Sequence, residues 1–175
     1  MNLLVTSVWA FYRRAEDFIG LVPMSLALLV LRIALAVPFF RSGLTKWDGF
    51  LSLSAGHLYL FRQEFRLHLF GNAYRFPFPD LMAWTAAIGE IVLPILLVAG
   101  LFTRFSALGL LVMTAIIQLT IPHGWANFHL PWAAMALMLM HAGGGRIAVD
   151  ALIARSSASE GGNGFAVRTR DKTKT

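Results

Sequence analysis

The chain has 175 residues, of which 57% are hydrophobic and only 14% charged, with a formal net charge of +6 and no cysteine. A soluble domain of this length cannot bury so much apolar surface, so the composition excludes an ordinary water-soluble fold. The missing thiols exclude disulfides, thiolate zinc, cysteine-ligated iron–sulfur clusters and thiol chemistry by this chain. The basic residues gather in the tails and one loop, where orientation signals are expected, which reads as membrane topology and not nucleic-acid binding.

Residues 5 to 19 mix Val8, Trp9, Phe11, Tyr12 and Phe18 with Arg13, Arg14, Glu16 and Asp17, the pattern of an amphipathic helix lying at the cytoplasmic interface. The first span is predicted over 24–44. Arg32, Ala36, Phe39, Gly43 and Lys46 share one of its faces, and the small residues among them favour close approach of another helix.

Residues 45–80 form a long outer loop. Leu58, Phe61, Phe65 and Leu69 recur at helical spacing opposite Arg62, Gln63 and Arg66, which predicts an amphipathic surface helix over about 55–70. Gly71-Asn72 ends it, and Phe76-Pro77-Phe78-Pro79 imposes extended backbone before Asp80 caps the second span. That span, 81–100, is an apolar run interrupted by Glu90. The turn Leu101-Phe102-Thr103, with Thr103 as the cap, makes a third span over 104–121 its antiparallel neighbour. A short fourth span is expected over 127–142, ended by Gly143-Gly144-Gly145. The expected architecture is an all-α polytopic membrane protein, a four-transmembrane-helix bundle over 24–153. An interfacial segment (1–23) precedes it and a disordered cytoplasmic tail (154–175) follows. Nine Lys and Arg on the side of the termini against four in the long loop place both termini in the cytoplasm.

An ionisable group inside a span is costly and marks a partner or a polar cavity. Arg32 and Glu90 lie at similar heights if the inner ends of the first two spans are flush, so an intramembrane Arg32–Glu90 ion pair is expected. It serves either as a proton or ligand site or as a device that fixes helix register. Pro94 cannot donate to the carbonyl four residues before it, which is that of Glu90 itself, and this adds an acceptor at the same point. A second polar cluster, Lys46, Gln118, His123 and His129, is expected at the outer mouth, as ligands or as an interfacial belt. No metal site is assigned: Met135, Met138 and Met140 read as packing, and no catalytic constellation is evident.

The stretches Arg32-Ile-Ala-Leu-Ala, Phe40-Arg-Ser-Gly-Leu-Thr-Lys46, Glu90 to Gly109 and Gly145-Arg-Ile-Ala-Val-Asp150 resemble the DoxX family of small four-helix membrane proteins. The resemblance implies a bacterial inner-membrane protein that is auxiliary to a redox or oxidant/metal-stress system. It also implies a membrane or peripheral redox partner, and quinone as the candidate cofactor. A small proton-coupled transporter and a non-enzymatic scaffold are the alternatives. Cysteine-bearing relatives handle thiols, a role this cysteine-free chain does not share by itself.

Overall fold

The computed structural model describes residues 2–157, with side chains from Val8 onward. The elements in order are α1 (Asn2–Ile19), α2 (Met24–Leu44), β1 (Trp47–Gly49), β2 (Ser52–Leu53), α3 (Ala55–Tyr59), β3 (Arg66–Leu69), β4 (Asn72–Arg75), α4 (Pro79–Ala99), α5 (Thr103–Thr120) and α6 (Leu130–Ala142). A further helix, α7, runs over 149–157. Three helices, α2, α4 and α5, are long and apolar enough to cross a membrane. The expected fourth span is α6, whose 13 residues rise only about 20 Å and fall short of a crossing alone. A π-helical turn, Trp125–His129, leads into it.

The polarity of the bundle is that of a lipid-exposed protein. Val30, Ile33 and Val37 of α2, Ile88, Val92 and Ile95 of α4, and Phe105 and Val112 of α5 face outward, while Arg32, Glu90, Thr103, Ser106 and Thr114 are buried. Leu28, Leu35, Ala36 and Phe39 of α2 pack with Leu97, Ala107, Leu110, Ala136 and Leu139 to form the core. Ala83 and Ala87 of α4 are buried without remainder, and Gly43 of α2 lies directly against the backbone of Glu90. The expected small-residue faces therefore do meet.

Their register differs from the expected one. A Cβ on Gly43 would stand 3.0 Å from the Glu90 carbonyl, whereas Arg32 reaches the Val98 carbonyl and Gly100. The two helices are staggered. About 16 Å of α4 rises beyond the level of Gly43 at one end, and about 12 Å of α2 extends past the level of Arg32 at the other. Residues 45–77 fill the first step, and residues 144–152 fill the second.

In that first step the expected helix over 55–70 is replaced by α3, a π-helical turn Leu60–Glu64 and a β-hairpin. Phe65 turns the chain to extended backbone. Phe70 and Gly71, at φ 51° and 80°, then form a two-residue turn that closes the Leu69–Asn72 pair, the geometry that hairpin twist favours. Neither expected cap holds. Phe78 at φ 48° precedes α4, and Asp80 pairs with Arg62 instead. Thr103 lies inside the first turn of α5, which is capped by the carboxylate of Asp150. Most of the expected tail lies outside the described residues; 154–157 continue α7.

Candidate functional site

The stagger gives Glu90 a different partner from the expected one. Level with the C-terminal end of α2, its Oε2 accepts a hydrogen bond from Lys46 Nζ, which also donates to Ser42 Oγ at 3.0 Å. Arg32 lies roughly 12 Å further in, by the eight residues from Glu90 to Val98 along α4, so the Arg32–Glu90 pair does not form. Lys46 belongs to the intramembrane carboxylate and not to a cluster with the outer histidines.

The ion pair sits in the wall of a cavity of about 860 Å³ bounded by α2, α4, α5 and the insertion between α2 and α4. Met82, Ala86, Gly89 and Leu93 line one side, and Gly109, Met113, Ile117 and Thr120 the other. Val112 and Ile116 also line it while 51% and 40% exposed, so its α5 wall reaches the outside of the bundle. Phe61, Phe65 and Phe76 roof it, with ring centroids 5.3 Å apart from Phe61 to each of the other two.

Three interactions hold the roof. Ser54 caps α3 by accepting from the His57 amide, and His57 Nε2 donates to the Ala83 carbonyl at 3.1 Å. Arg62 grips Asp80 through two hydrogen bonds, 2.6 and 2.8 Å, which hold its guanidinium above its usual pKa. Burial pushes the His57 imidazole below its usual pKa; the Lys46 ammonium adds to this, while the Ala83 carbonyl and Glu90 oppose it.

The outer cluster is only partly assembled. His129 is buried, and its Nδ1 lies 2.6 Å from Gln118 Oε1. Gln118 Nε2 donates to the Pro122 carbonyl, which orients the amide so that His129 is the donor in that bond. His123 is exposed and joins neither residue. Among the described residues no group of three metal-ligating side chains exists.

Arg32 is 1% exposed and donates through Nη1 to Val98 O at 3.2 Å, while its Nε and Nη2 have no partner. Asp150 is the group that balances it, and sequence reasoning missed the relation. Burial would raise the Asp150 carboxyl, but hydrogen bonds from the Thr103 and Phe102 amides and the Thr103 hydroxyl, with the Arg32 charge, hold it below its usual value. The only sequence signal was a carboxylate five residues after a triple glycine.

Comparison with known proteins gives a consistent picture. The family model described as DoxX matches residues 27–123. An uncharacterized protein of Haemophilus influenzae (strain ATCC 51907 / DSM 11121 / KW20 / Rd) is 31% identical over 140 residues, covering 73% of this chain and 83% of that protein. No solved structure matches.

Proposed function

The chain belongs to the DoxX family, and on that premise we propose that it holds a quinone-class ligand in the outer cavity as an auxiliary subunit of a membrane redox or stress system. The reading places it in the bacterial inner membrane with both termini cytoplasmic. The observation that carries it is the Lys46–Glu90 pair set into the wall of a large, otherwise mainly apolar cavity. Its volume lies within the range of small-molecule sites, which pair apolar walls with a few placed polar groups.

The donor set fits such a ligand. An ammonium has three N–H donors; Lys46 directs one to Glu90 and one to Ser42, which leaves one for a ligand carbonyl. The Oε1 of Glu90 remains as an acceptor. Because the two charges cancel, an uncharged head group meets a dipole with no net charge, and its apolar tail lies along Leu93, Met113 and Ile117. Gly89 and Gly109 let α4 and α5 approach closely, with Met113 packed on the first and Leu93 on the second.

The test is titration of the purified protein with a menaquinone or ubiquinone analogue, read through the fluorescence of Trp47 and Trp84, which are in edge contact beside the site. Saturable binding is expected. It should weaken roughly tenfold or more in Lys46→Gln or Glu90→Gln, as for loss of a charge-assisted hydrogen bond. Absence of saturation, or equal affinity in both variants, removes the proposal. Solute uptake into liposomes by the protein alone would favour the transporter instead.

A further inference from the structure

We propose that the β3–β4 hairpin is a binding site for the phosphate of an anionic phospholipid, separate from the cavity ligand. Arg66 and Arg75 are registered directly opposite one another in this antiparallel pair, so both guanidiniums leave the same face of the hairpin. Like charges in that position repel and destabilise the pairing unless an anion lies between them.

No protein anion does. Among the described residues the ion pairs are Lys46–Glu90 and Arg62–Asp80. Arg66 donates only to the carbonyl of Phe65, Arg75 has no side-chain partner, and neighbouring Glu64 pairs with neither. Two guanidiniums side by side present the paired N–H forks that grip a phosphate.

The fold sets this pair at head-group height. His68 Nδ1 donates to the carbonyl of Leu119 at 3.1 Å, which fixes β3 beside the last turn of the membrane-crossing helix α5. At the far end of the hairpin Phe70 is 100% exposed, and Tyr74, next to Arg75, is about half so; exposed aromatic residues of this kind settle into a membrane interface. At the near end Phe65 and Phe76, the residues flanking the two arginines, line the cavity.

The experiment is native mass spectrometry of the detergent-purified protein equilibrated with equal amounts of phosphatidylcholine and phosphatidylglycerol. Wild type should retain phosphatidylglycerol preferentially. Arg66→Gln or Arg75→Gln should each lower that preference roughly five-fold, and the double variant should lose it. The affinity of each variant for the quinone analogue should match wild type. That second readout separates this site from the cavity: either can fail while the other stands. Equal retention of both lipids by wild type, or a preference that survives in the double variant, overturns the proposal. So does displacement of the lipid by inorganic phosphate, which marks a site for a free anion.

Discussion

Removing one member of the Lys46–Glu90 pair leaves the other charge in the bundle without a counter-ion, and a broken buried pair costs about 3 kcal/mol or more. Glu90→Gln should therefore lower the unfolding temperature sharply. The double variant Lys46→Met with Glu90→Leu removes both charges and should recover most of that loss while abolishing analogue binding. A double variant that still binds would show that the pair only sets register. Gly100 gives a second residue-level prediction. It has φ 74°, and a Cβ there would lie 2.2 Å from Arg32 Nη1 and 2.7 Å from the Ala148 backbone, so Gly100→Ala should cost more than about 2 kcal/mol in thermal unfolding. Glu90 was legible in the sequence because a lone carboxylate in an apolar run has few explanations. Its partner was not, because helix periodicity gives the face of a residue but not the offset between two helices. Flush ends pointed to Arg32, and the actual stagger brings Lys46.

The roof over the cavity is the element in which pH should act. His57 is held below its ordinary pKa, so the folded state resists a proton that the unfolded state takes up. The stability it contributes is complete above about pH 6.5 and declines as the pH falls through and below that value. The hydrogen-exchange protection factors of α3 and the following π-helical turn, which remove the intrinsic pH dependence of exchange, should fall over that range, and His57→Gln should flatten the response. Protection factors in wild type that stay constant with pH would show that His57 does not hold the roof. At the opposite end, Asp150→Asn weakens the cap of α5 and leaves Arg32 less compensated; a loss of about 1–2 kcal/mol is expected from equilibrium unfolding. The hairpin was hidden in the sequence for a specific reason. Leu58, Phe61, Phe65 and Leu69 fit a helical period, and the customary Asn-Gly turn signal is replaced by Phe70-Gly71.

For the molecule as a whole, the membrane character and the α2–α4 contact could be read from composition and small-residue spacing. The fourth crossing expected over 127–142 is represented only by α6, which has 13 residues and rests on α5 and α2, so three helices are long enough to cross among the described residues. Orientation can be measured directly because the chain lacks cysteine. With the termini cytoplasmic, a cysteine replacing the exposed Phe50 should react with an impermeant maleimide in intact cells, and one replacing Ala154 only after permeabilisation. The opposite pattern would invert the topology.

The inner step of the staggered bundle also bears on the order in which the protein can be made. Arg32 enters the membrane with the first span, yet the groups that surround it arrive much later. The Asp150 amide donates to the Gly100 carbonyl, and the Arg146 amide reaches Ser25 across 121 residues of chain. Until residues 144–150 leave the ribosome, the charge of Arg32 has no settled place in the bundle. Nascent chains stalled before that point should expose α2 to crosslinking with the insertion machinery, and chains released beyond it should not. The stagger thus makes the emergence of residues 144–150, and not the insertion of the first helix, the moment at which the bundle locks.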